Sequence, residues 1–176
     1  MNEPKPISLP EPLLRAGFSL QNGTLHLDGG PCMLTEPDIP EGVRGIRSFC
    51  FSGSPVLKSV RLPKSLRELG TGAFADCPAL ETVLIPEGIT RLRKMTFSGC
   101  RALRSVELPH SVTSIGEWAF RSCHALETVL LPESVTDICA EVFLDCPALT
   151  ILGRKNSAAE RFAQTFGIPF QAVEQP

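Results

Sequence analysis

The sequence contains no tyrosine, only three histidines, and no stretch approaching the ~20 apolar residues of a membrane-spanning helix. That last absence predicts a protein that does not insert into a bilayer. Neither sign of charge dominates: 17 Lys and Arg against 19 Asp and Glu leave a formal charge of −2. Such a balance gives no general attraction to nucleic acid or to an anionic membrane surface. Met1-Asn2-Glu3-Pro4-Lys5-Pro6 lacks the charged and apolar regions of a secretory leader, so the sequence as given reads as cytoplasmic. Glycine and proline, 14 and 16 residues, are too few for a collagen-like or low-complexity chain. With 43% apolar and 20% charged residues, wholesale disorder is excluded as well.

What is present is a repeat. Phe recurs at 51, 74, 97, 120 and 143, always 23 residues apart. Cys77, Cys100, Cys123 and Cys146 keep the same step, with Ser54 in the first unit. Leu57, Leu80, Leu103, Leu126 and Leu149 follow it, as do Val60, Val83, Val106 and Val129, with Leu152 in the fifth place. Pro63, Pro86, Pro109 and Pro132 complete the register. Five units therefore run without a gap: 43–65, 66–88, 89–111, 112–134 and 135–157. A fixed period of this length is the signature of a solenoid, in which each unit packs only on its neighbours.

Within a unit the second half carries apolar residues at strand spacing and ends on Pro, which has no N–H to give to a ladder. The first half, Val112 to Phe120 in the fourth unit, reads as a shorter extended segment followed by a turn. Neither half shows the 3.6-residue period of an amphipathic helix, so little helix is expected inside the repeats. About six large apolar side chains per unit cannot offset the ordering of a whole unit's backbone, and the units must stack to fold.

The pattern Val-Thr-x-Ile-Gly-x-x-Ala-Phe-x-x-Cys-x-x-Leu-x-x-Val-x-Leu-Pro at 112–132 resembles the BspA-like (treponemal-type) leucine-rich repeat. The resemblance covers residues 39–157 and implies a mostly β solenoid. It also implies a protein partner, since members are often bacterial surface molecules that bind host or matrix proteins. It carries no catalytic residues or cofactor, and it offers a secreted or cell-surface location as the alternative to a cytoplasmic one.

The flanks read as caps, making one domain of 1–176. Ile39-Pro40-Glu41-Gly42-Val43 reappears as Ile85-Pro86-Glu87-Gly88-Ile89, 46 residues on, so residues 34–42 are the strand half of an incomplete unit. Asn22-Gly23 between alternating apolar residues of 18–27 predicts a hairpin over the first open edge. Residues 18–42 thus form the N-terminal cap, and the Pro-rich residues 1–17 are expected to be a loosely held tail. At the other end Arg154 stands where Leu or Ile ends the earlier strands. Ser157-Ala-Ala-Glu160 is a capping box, and Ala159, Phe162, Ala163 and Phe166 make one stripe of a short helix ending at Gly167. With a return segment at 167–170, residues 158–176 form the C-terminal cap.

Several local features carry a functional and a structural reading. The cysteine ladder reads as small buried side chains whose thiols face turn carbonyls, rather than as disulfides, because stacked equivalents point the same way, or as zinc ligands, because no Cys-x-x-Cys spacing is present. Cys32 is off the ladder and is the expected reactive thiol. Cys123-His124 places neighbours on opposite sides of an extended chain and is not expected to be a nucleophile with its base. Gly70-Thr-Gly72-Ala-Phe-Ala75 resembles a dinucleotide fingerprint without the strand–helix context that fingerprint needs. Arg91, Arg93, Lys94, Arg101 and Arg104 fall within 91–104 with no acid among them. Stacking places Arg91 beside Glu68, Lys94 beside Glu117, and Arg104 between Glu81 and Glu127. Arg93 and Arg101 are left without a partner, as possible anion contacts. The candidate binding face is the outward row of the longer strands: Ser59, Thr82, Ser105 and Thr128, flanked by Arg61, Leu84, Glu107 and Leu130. The expected function is non-catalytic recognition of a protein partner through this face, with a structural or self-assembling element as the alternative. No metal site and no cofactor are expected.

Overall fold

The computed structural model describes residues 7–28 and 30–174. Residues 1–6 of the expected tail, and the last two of the C-terminal cap, lie outside the described residues. A hairpin opens the fold, with strands β1 (Phe18–Gln21) and β2 (Thr24–Leu27) antiparallel. Its turn is Asn22-Gly23, both at positive φ, the backbone that a two-residue hairpin loop requires.

Each unit then makes one turn with two short strands. The first-half strands are β3 (Gly45–Ile46), β5 (Glu68–Leu69), β7 (Arg91–Leu92), β9 (Ser114–Ile115) and β11 (Asp137–Ile138). The second-half strands are β4 (Ser59–Val60), β6 (Thr82–Val83), β8 (Ser105–Glu107), β10 (Thr128–Leu130) and β12 (Thr150–Gly153). Equivalent strands pair in parallel along two sides of the molecule. No helix lies inside the repeats; α1 (Glu11–Arg15) and α2 (Ala158–Phe166) flank them.

The core is a set of ladders. Phe51, Phe74, Phe97 and Phe120 are fully buried. Their rings, with that of Phe143, stack at centroid distances of 5.1 Å or 5.5 Å. Both caps continue the stack: Phe18 of β1 lies 5.1 Å from Phe51, and Phe162 of α2 meets Phe143 edge-on at 6.0 Å. The cysteine row behaves as its spacing predicts. The thiols of Cys77, Cys100, Cys123 and Cys146 donate to the carbonyls of Phe51, Phe74, Phe97 and Phe120 in the preceding unit. Ser54, at the head of the row, donates to the Phe51 carbonyl within its own unit.

One boundary differs from the rest. Between the second and third units neither β5 with β7 nor β6 with β8 forms a ladder among the described residues. Gly70 and Gly116 lie on either side of it. A Cβ at Gly70 would meet the Ser48 nitrogen at 2.3 Å, and one at Gly116 the Lys94 nitrogen at 2.8 Å, so both glycines seat their unit tightly on the one before. The boundary stays joined along the turn edge, where the N–H groups of Gly72, Phe74 and Asp76 donate to the carbonyls of Lys94, Thr96 and Ser98. A corner clamp adds to this: Glu87 accepts from the N–H groups of His110 and Ser111 at 3.2 Å each, while the Gly88 N–H donates to Ser111 Oγ at 3.2 Å.

Four expectations are corrected here. The expected loose tail is docked over its described part: Leu9 and Leu13 of 7–17 are buried, and Pro10 begins α1. Val129 pairs with Ile151 and not with Leu152, so the fifth long strand is shifted by one residue. Gly153, rather than Arg154, takes the inward place that ends the earlier strands. A Cβ there would come within 3.0 Å of Ala159 Cβ, and its absence lets α2 pack down. Phe166 closes the α2 stripe in sequence but is exposed, resting on Phe162 at 4.6 Å. The rest of the cap forms as expected, with Ser157 accepting from the Glu160 N–H, Gly167 in the left-handed cap, and β13 (Phe170–Ala172) pairing on β12.

Candidate binding face

The face of the long strands follows from their alternation. Val60, Val83, Val106 and Val129 point into the core, so the residues on either side of each point out. Ser59 pairs with Thr82, Ser105 with Thr128 and Glu107 with Leu130, so the candidate residues fall in two paired groups on either side of the boundary without a ladder. Thr82, Leu84, Ser105, Arg61 and Glu107 are exposed, whereas Ser59, Thr128 and Leu130 are half-buried. Leu84 is 80% exposed, the largest exposure among the described large apolar residues.

Three members were not foreseen. Asp38 bridges to Arg61 in parallel pairing and extends the face by one turn, with its carboxylate 3.0 Å from the Arg61 guanidinium. The half unit could have signalled it, since Asp38 lies 23 residues before Arg61. Thr150 and Leu152 join the other end through the shifted register, pairing with Thr128 and Leu130. No signal at 23-residue spacing points to them.

Two shallow concavities meet at Leu84. One, of about 500 Å³, runs back over Arg61 to Glu36 and Asp38. The other, of about 230 Å³, lies across the boundary without a ladder, between Ile85 and Glu87 on one side and Glu107 and His110 on the other. Ser105 and Thr128 line neither concavity.

The basic segment is resolved differently from expectation. Glu68 pairs with Arg93 at 2.8 Å, and not with Arg91, so Arg93 is not the unpartnered cation that spacing predicts. A ladder would hold Arg91 opposite Glu68; without one here, Glu68 takes the cation two residues further along. Lys94 pairs with Glu117 at 2.7 Å and lies over the Trp118 ring, and Arg104 meets Glu127 at 3.4 Å. Arg101 is exposed and outside the concavity of about 310 Å³ that Arg91, Arg93 and Lys94 share with Asp137. Arg93 and Arg101 are thus not gathered into one site.

The remaining candidates are part of the packing. Cys32 is fully buried beneath the ladder, where its N–H donates to Ser54 Oγ at 3.1 Å and burial pushes its thiol up, which removes it as a reactive group. Burial likewise holds the Cys50 and Cys77 thiols up at about 12 and that of Cys146 at about 11. Cys123 faces inward, while His124 points out to the Asp145 carboxylate at 2.9 Å, which holds that carboxyl below its ordinary range. They cannot act together. Gly70–Ala75 forms the turn of a repeat and opens no helix. Among the described residues no three His, Cys, Asp or Glu are grouped to hold a metal ion, and no helix is long and apolar enough to cross a membrane.

Residues 30–150 match the BspA-type leucine-rich repeat region in six copies, and the chain belongs to that family. No curated protein matches. Among solved structures, a leucine-rich cell-surface protein of Faecalibacterium prausnitzii is 32% identical with a TM-score of 0.73, over 82% of this chain and 39% of that one. The chain therefore spans well under half the length of that relative. The leucine-rich repeat protein of Treponema pallidum is 22% identical over 89% of this chain and 96% of its own, with a TM-score of 0.69. The pneumococcal vaccine antigen PcpA is 16% identical over 91% of this chain and 48% of its own, with a TM-score of 0.68. These last two share the fold.

Proposed function

We propose that this protein is a non-catalytic recognition module that binds a protein partner through the face of its long strands. Leucine-rich repeats are in general scaffolds for protein interaction, and the observation that carries the reading here is Leu84. An aliphatic side chain 80% exposed gains roughly 1.5–3 kcal/mol on burial, and it stands between two concavities on a rigid sheet. Stacked units hold the paired strands in fixed register, so a partner spanning several strands meets a preorganised surface. The Faecalibacterium relative is a cell-surface protein, which supports an extracellular partner, a host or matrix protein among them.

The competing reading is self-assembly through the same strip. Light scattering over a dilution series separates the two. A monomer at all concentrations agrees with recognition of a different protein. A stable dimer, dissociated by Leu84→Glu, contradicts it.

A further inference from the structure

Resting on the reading of the long-strand face as a protein-binding surface, we infer that the face around Leu84 takes an extended protein segment in which Lys or Arg stands beside an apolar side chain. The apolar part of this partner follows from shape. Leu84 rises between the two concavities, so an apolar side chain laid against it on either side is enclosed by Leu84 and by a strand edge.

The basic part follows from charge. The smaller concavity has Glu87 and Glu107 on its rim and neither Lys nor Arg in its lining. The larger has Glu36 and Asp38, with Arg61 as its single cation, already tied to Asp38 at 3.0 Å. Four carboxylates elsewhere on the molecule are paired with cations: Glu68 with Arg93, Glu117 with Lys94, Glu127 with Arg104, and Glu133 with Arg154. Glu87, like Glu41 two units back, is held by backbone instead. It accepts two backbone N–H groups of the next unit, which fix its carboxylate in place without supplying a neutralising charge. A fixed, uncompensated carboxylate at the edge of an apolar hollow is complementary to an ammonium or guanidinium group. A second copy of the chain fits poorly, because the lining of the two concavities carries Glu36, Asp38, Glu87 and Glu107 against Arg61 alone among Lys and Arg, and apposing two such faces brings like charges together.

Selection of random linear peptides on the wild-type chain, followed by titration of synthesised winners by fluorescence anisotropy, tests this. The expected winners carry Lys or Arg within two residues of Leu, Ile, Met or Phe. They bind about tenfold or more weakly to Leu84→Ser and to the pair Glu87→Gln and Glu107→Gln, and they weaken steeply as salt is raised. Melting midpoints of the variants serve as the control for folding. Winners that need Leu84 but carry no basic excess and ignore salt overturn the charge assignment and leave the face standing. Winners that bind wild type and Leu84→Ser alike, or a selection without winners, overturn the assignment together with the face.

Discussion

Cysteine is the residue whose meaning changes most between composition and structure. Seven thiols invite a redox or metal reading, yet four of them repeat one packing position and donate to the Phe carbonyl one unit back. A thiol reacts as the thiolate, and burial in apolar surroundings holds the thiols of Cys32, Cys50, Cys77, Cys100, Cys123 and Cys146 above the ordinary range. Cys139 is half-exposed, in a fifth-unit place where the second and fourth units have Gly70 and Gly116. Labelling the native protein with a thiol reagent near neutral pH is therefore expected to modify Cys139 first. The five buried thiols, Cys32 among them, are expected to react only as the protein unfolds. Fast modification of Cys32 in the folded state would refute its placement under Ser54.

At the scale of strands and caps, the boundary between the second and third units is the weak joint of both ladders. The N–H groups of Thr113, Gly116 and Glu127 reach the carbonyls of Thr90, Leu92 and Arg104 at 2.8 Å each, whereas those of Thr90, Arg93 and Arg104 reach no backbone acceptor among the described residues. Hydrogen exchange is expected to be faster at Thr90, Arg93 and Arg104 than at their three equivalents one unit on. Equal protection at the two boundaries would show a ladder closed throughout. Period alone made the fold legible, because a 23-residue spacing fixes which side chains stack whatever their exact conformation. It also made most of the face legible, since strand alternation turns Thr82 and Leu84 out once Val83 is placed inside. What escaped it were the departures from period. Ile151 and Leu152 are both apolar, so spacing aligned Leu152 with Val129, and only the packing of Ala159 over Gly153 reveals the shift. Arg93 and Glu68 pair where the ladder is missing, and α1 is held through Leu9 and Leu13 in a stretch too short for a helical period to register.

Taken as a whole molecule, the chain is a closed stack: Phe18 and Phe162 from the two caps bracket five repeated rings, so each ring has a neighbour on both sides. Phe97→Ala removes the middle ring and is expected to cost about 3–5 kcal/mol, with protection lost in the units of both Phe74 and Phe120. A loss below about 1 kcal/mol would deny the stacked ladder its part in stability. Stability resides in that ladder, whereas the proposed recognition uses a surface the ladder does not need. The direct test is capture of protein partners by the wild-type chain and by the double variant Leu84→Glu/Leu130→Glu, compared at a temperature where both are folded. A partner held by the wild type and absent from the variant is expected, with the variant's cooperative melt retained. The same partner captured equally by both would contradict it.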